Sequence, residues 1–139
     1  MKYSFKRTIA TLIVLFTSTF FYTTVYATVY YASPAGVGTG TFASPCSFTS
    51  GLSKLTGPGD TLYLRGGIYY QTAKISINKS GSASSRIGIM AYANEKPILD
   101  FSGEPYNSSN PGISFSNTST YIHVKGLVVR YAGDNGIIN

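Results

Sequence analysis

A chain of 139 residues, only 12% of them charged, with a formal charge of +6, has room for one domain at most. Of its eleven basic residues, the eight beyond Arg7 are scattered rather than clustered, which argues against nucleic acid as a partner. A single cysteine, Cys46, excludes an internal disulfide, so stability must come from buried apolar surface and main-chain hydrogen bonds.

Residues 1–27 read as a secretory signal peptide. Lys2, Lys6 and Arg7 precede the apolar run Ile9–Phe16, and Val25-Tyr26-Ala27 is a small-x-small pattern that places cleavage after Ala27. Thr17, Ser18, Thr19, Thr23 and Thr24 break the run well short of the roughly 20 apolar residues of a membrane span, so no membrane association is expected after the leader is removed. The expected location is extracellular. Three basic residues leave with the leader, and eight basic against five acidic residues remain, a formal +3. Such a mildly basic surface is compatible with an acidic polysaccharide as partner.

Thr28–Ser33 (TVYYAS) is β-branched and aromatic and reads as a strand. Pro34–Pro45 is loop, rich in glycine and proline. Ser47–Leu55 has a Ser47 N-cap and places Phe48, Leu52 and Leu55 at i, i+4 and i+7, a short amphipathic helix weakened by the internal Gly51. Gly57-Pro58-Gly59 stops it, and Asp60 shapes the turn that follows. From there the pattern is short alternating strands bounded by Gly, Pro, Asn or Ser: Thr61–Arg65, Lys74–Asn78, Ile87–Tyr92, Pro97–Phe101, Gly112–Phe115, Tyr121–Lys125, Leu127–Tyr131 and a last one from Ile137. In the stretch from Tyr121, the inward positions are Ile122, Val124, Leu127 and Val129, and Tyr121, His123, Lys125 and Arg130 face outward.

Ile75, Ile98 and Tyr121 recur at about 23 residues, and Gly112 and Gly136 at about 24, within the range of stacked repeats. Short strands without intervening helices at such a period predict an all-β fold, a parallel β-helix whose coils bury one another's Ile, Leu and Val. The short helix caps the first coil, whose apolar cross-section would otherwise be exposed. The domain plan is a leader at 1–27, a strand, loop and capping helix at 28–59, and β-helix coils at 60–139. An antiparallel sandwich is the competing fold. Its hairpins favour two-residue Asn-Gly or Gly-Asn turns, and Asn135-Gly136 is the only such dipeptide.

The segments GPGDTLYLRGGIY (57–69), KISINKSGSASSRIGIMAYANEKPILDFSG (74–103) and YIHVKGLVVRYAGDNGI (121–137), in that order, resemble the N-terminal part of family 9 polysaccharide lyases, pectate lyases built on a right-handed parallel β-helix. The Pro-Gly-Asp-Thr…Leu-Arg-Gly-Gly opening is shared by many secreted β-helix proteins, whereas Lys-Pro-Ile-Leu-Asp-Phe-Ser-Gly and Ala-Gly-Asp-Asn-Gly point more narrowly to family 9. The resemblance implies a secreted, monomeric parent enzyme that cleaves polygalacturonate by β-elimination. It also implies a Ca²⁺ held by clustered aspartates against the uronate carboxylate, and a lysine that takes the C5 proton. Those residues lie on later coils of the family, and no position here matches them, so the resemblance assigns this chain no catalytic residue and no calcium ligand. Past Asp60 the only aspartates are Asp100 and Asp134, too far apart to supply the six to eight oxygens of a calcium site. The chain is therefore expected to be the N-terminal portion of such a lyase, truncated at its C-terminus and inactive alone. Two alternatives keep the fold: a non-catalytic secreted carbohydrate-binding or surface module, and a lyase of alginate or a glycosaminoglycan.

Lys125, Arg130 and Asp134 are the candidate substrate-binding residues, two outward cations and a turn carboxylate on the last stretch. Each has a plainer account, as solvated strand charge or, for Asp134 and Asn135, as turn chemistry. His123, alone and outward, reads as solvated surface. The twelve tyrosines offer stacking faces for sugar rings, although aromatics also serve strand packing.

Overall fold

Alternation along each strand sends one set of side chains inward, but a three- to five-residue strand buries nothing until another coil lies on it. The computed structural model describes residues 26–139, so the leader, except for its last two residues, lies outside the described residues. The elements are β1 (Val29–Ala32), α1 (Phe48–Lys54), β2 (Thr61–Leu64), β3 (Gly67–Tyr70), β4 (Ile75–Ile77), β5 (Ile87–Ala91), β6 (Pro97–Asp100), β7 (Ile113–Phe115), β8 (Ile122–Lys125), β9 (Val128–Arg130) and β10 (Ile137–Ile138). Every ladder between these strands is parallel. They form three sheets, β1-β2-β5-β8 (sheet A), β3-β6-β9 (sheet B) and β4-β7-β10 (sheet C). Three successive coils thus give one strand to each sheet, and the antiparallel sandwich is excluded.

The 24-residue step from Gly112 to Gly136 is a true coil step, since Ile113 pairs with Ile137, but the 23-residue spacing of Ile75, Ile98 and Tyr121 is not. Leu62 stacks on Ile89 and Ile89 on Val124, Ile68 on Ile98 and Ile98 on Val128, and Ile75 on Ile113 and Ile113 on Ile137. Paired positions are separated by 24 residues (113 to 137) to 38 residues (75 to 113). Ile75 and Ile98 lie in different sheets, C and B, and Tyr121 lies in none, just ahead of β8 in sheet A, so their even spacing is not the coil period. The strands hold register while the corners absorb extra residues at little entropic cost, as between β6 and β7. One strand escaped the sequence reading altogether. Gly67 opens β3 directly after the strand read at Thr61–Arg65, and the phenol of Tyr69 donates to the carbonyls of Ala32 (3.0 Å) and Arg65 (2.8 Å).

The core is a stack of ladders, with Leu62 on Ile89, Ile75 on Ile113, and Leu99, Phe101, Leu64 and Ile87 buried around them. Each such side chain contributes roughly 1.5–3 kcal/mol by leaving water. At the last coil the inward set is only partly covered: Ile113 is 1% exposed, its ladder partner Ile137 51%. Strands β8 and β9 are also shorter than their apolar pattern. Tyr121 (φ 53°) and Tyr131 (φ 58°) adopt the left-handed conformation and turn the chain at their outer ends, and Gly126 (φ 77°) makes the corner between them.

Helix α1 forms where the sequence placed it. The Ser47 hydroxyl accepts from the Ser50 N–H at 3.2 Å, and Phe48, Leu52 and Leu55 cover the first coil. Gly51, which looked like a weakness, sets the distance of approach: a Cβ there would stand 2.5 Å from Leu62 Cδ1.

Candidate functional site

Lys125, Arg130 and Asp134 sit close in sequence, but the coil distributes them. Lys125 ends β8 on the outer face of sheet A, in register with Met90 and, one coil earlier, Tyr63. Arg130 ends β9 in sheet B, and Asp134 lies in the exposed corner between β9 and β10. They do not form one constellation. Arg130 is already engaged: its Nε and Nη2 each donate to Asp100 Oδ2 at 2.7 Å, and its guanidinium lies 5.1 Å from the Tyr131 ring centre. The two are directly paired across the β6–β9 ladder, 30 residues apart. Asp134 accepts from the neighbouring Asn135 side chain at 3.2 Å, and the main chain of Gly133, Asn135 and Gly136 accepts from Asn107, Gly112 and Ile113 of the coil before. That turn is a fastening between coils. His123 is exposed, beside Gly88 in the ladder.

The five carboxylates of the chain all fall among the described residues, and each has its own surroundings. Asp60, 4% exposed, accepts from the N–H groups of Thr28 (2.9 Å), Thr56 (2.8 Å) and Gly57 (2.9 Å). Burial opposes its charge, but those three donors outweigh burial and hold its carboxyl below the ordinary range. Asp100, 2% exposed, is also depressed, first by hydrogen bonds from Ser102 and then by Arg130. Glu95 is lowered chiefly by the Gly66 N–H, against a smaller opposing effect of burial, and accepts from Arg65 Nε at 2.8 Å. Asp134, at its exposed corner, accepts only from the Asn135 side chain among the described residues. Glu104 is 9% exposed, and its Oε2 is buried with no hydrogen-bond partner.

No three His, Cys, Asp or Glu side chains converge among the described residues. Asp60, Asp100 and Glu95 have their oxygens committed to donors, so these residues do not fit a calcium ion, and no catalytic step is routed through one here.

Two features were only faintly legible along the chain. Asp60 looked like a turn residue, whereas it ties the entry of β1, the end of α1 and the start of β2 into one joint. Tyr31, Phe42, Tyr63 and Tyr92 form one aromatic cluster, Tyr31 stacked on Tyr63 at 5.8 Å, with Arg65 lying 5.0 Å from Phe42 and 5.3 Å from Tyr92. Its only sequence signal was the tyrosine at matching positions of Thr28–Ser33 and Thr61–Arg65, and that shows only once the strands are paired.

The family model described as the Pel9A-like, right handed beta helix region matches residues 30–139. The chain belongs to that family. It is 46% identical over 82 residues to pectate lyase L of Paenibacillus polymyxa (strain SC2), covering 58% of this chain and 18% of that protein. Against pectate lyase L of Dickeya chrysanthemi it is 32% identical over 117 residues, 78% of this chain and 27% of that one. The crystal structure of pectate lyase Pel9A superposes with a TM-score of 0.66 at 26% identity, over 81% of this chain and 30% of that one. The fold is thus that of the right-handed β-helix region of this family, and the chain spans about a quarter of the length of the relatives it matches.

Proposed function

We propose that these coils are the N-terminal scaffold of a secreted, calcium-dependent pectate lyase, and that the catalytic and calcium-binding residues belong to coils beyond those present here. The observation that carries the reading is the family match over 30–139 by a chain that covers only 18–27% of its curated relatives. On this reading residues 1–27 are the export signal, 28–59 the cap and 60–139 the first coils of a monomeric parent that acts on polygalacturonate.

β-Elimination needs a base at the C5 proton and a positive group on the adjacent carboxylate, so that the C4–O bond can break as the C4=C5 bond forms. Lys125, Arg130 and Asp134 do not meet at one point, and Arg130 is held by Asp100. This chain's part is to fix the register on which later coils build.

The test is the 139-residue product assayed on polygalacturonate by the absorbance of unsaturated uronide, with calcium and with chelator. No turnover is expected in either, and turnover at an ordinary lyase rate would refute the placement of the chemistry beyond these coils. Calcium-independent retention on a polyuronate gel, combined with a continuing reading frame that lacks clustered aspartates and a lysine, would replace the lyase by a binding module. The export step is checked by N-terminal sequencing of the secreted protein, which should begin at Thr28.

A further inference from the structure

The capping helix lies beside an open edge of the solenoid. Sheet A carries β1 as an additional strand, so β2 is paired on both sides, but sheet B begins at β3 and sheet C at β4, and it is β4 that the helix faces. Ile75 and Ile77 bond toward β7, through the carbonyl of Gly112 and the N–H of Ser116. In a parallel ladder Ser76, between them, turns its N–H and C=O the other way, where they meet no partner among the described residues. Helix α1 faces that free edge, and a cavity of about 260 Å³ runs between helix and strand. Leu52 and Ile77 give it an apolar floor, Ser53 and Ser76 bring hydroxyls, and Lys74 and Lys79 stand at either end with no acidic residue in the lining. Lys74 also approaches the carbonyl of Ser109, at 3.5 Å.

We propose that this groove is a second, non-catalytic binding site for a carboxylated sugar chain. The lysine Cα atoms, five residues apart along an extended strand, are separated by about 16 Å, so the ligand is an oligomer that spans several rings. Sugar carboxylates pair with Lys74 and Lys79, and ring hydroxyls exchange bonds with the free main chain of Ser76 and donate to the Ser53 hydroxyl, whose own proton goes to the Ser50 carbonyl at 2.8 Å. A peptide strand fits less well: β4 has three residues and offers one free N–H and C=O pair, too few for an added strand. A neutral sugar would leave both cations without use, and the lining has no aromatic ring on which a nucleic-acid base could stack. Only the identity of the sugar rests on the pectate reading; the site itself rests on the groove.

The test titrates the ¹⁵N-labelled full chain with tetra- to hexagalacturonate, with chelator present. Amide shifts are expected at Ser53 and Ser76 and their neighbours, with a Kd that rises with salt and rises about fivefold in K74A/K79A. Retention on immobilised polyuronate, compared between the wild type and that variant, reads the same loss if the chain self-associates. Shifts confined to other surfaces, a Kd indifferent to the double variant, or no binding to any uronate would overturn the site. Binding in the groove by oligoguluronate but not by galacturonate would uphold the site and overturn the pectate reading. Galacturonate bound elsewhere would do the reverse.

Discussion

Asp60 joins three parts of the chain through one buried carboxylate, and its replacement by asparagine tests how the first coil is held. Oδ2 accepts from Thr56 and Gly57, and Oδ1 accepts from Thr28. An asparagine can keep its oxygen on the first two donors, but must then turn its NH₂ toward the Thr28 N–H. One charge-assisted bond is lost and a donor faces a donor, for about 1.5–3 kcal/mol. Asp60→Ala, which abandons all three N–H groups, is expected to cost about 3–4 kcal/mol. The carboxyl is depressed in the folded protein, so its stabilisation is complete above the ordinary carboxylate value near 3.9 and disappears as pH falls through the lower folded value. Urea unfolding of wild type and Asp60→Asn, followed by circular dichroism, should therefore show the largest gap at neutral pH and a shrinking one in acid. A gap under about 0.5 kcal/mol at neutral pH, the range of an ordinary surface substitution, would refute the reasoning. So would a gap that does not change with acid.

Three further outcomes follow from the packing. Gly51→Ala, worth about 1 kcal/mol of stabilisation in an ordinary helix, should destabilise here by about 1–3 kcal/mol, because its Cβ meets buried Leu62; thermal melts decide the sign, and Leu62→Val should recover part of the loss. Arg130→Ala should lower Tm more than Lys125→Ala does, since it strips a covered Asp100 of its cation, and equal melts would remove the structural role assigned to that pair. The mature chain should associate as its concentration rises, seen by sedimentation velocity, and Ile137→Lys should reduce this by placing a charge on the open ladder; a monomer with a cooperative melt would contradict it.

Much of the fold was legible because its signals are local. Alternation in ISIN, IGIMAY or IHVK reports which side chains turn inward, and Ser47 with Phe48, Leu52 and Leu55 reports a capped amphipathic turn, whatever lies elsewhere in the chain. The quoted motifs carried the family for the same reason. β3 was missed because a strand that opens on Gly67 shows little strand preference of its own and exists through its pairing with β6.

The sequence by itself determined the inward faces, the capping helix, the β-helix class and the family. Only the tertiary structure decided register, and with it the surroundings of the polar residues. Corners of unequal length hide the true partners, so a 23-residue ladder could look regular while joining different sheets. Arg130 looked free for a substrate until register set it against Asp100, 30 residues away. The edge of β4 looked like any other until the helix came to rest beside it. Side-chain direction follows from the residue's own backbone, whereas a partner is chosen by long-range pairing whose spacing the chain does not display.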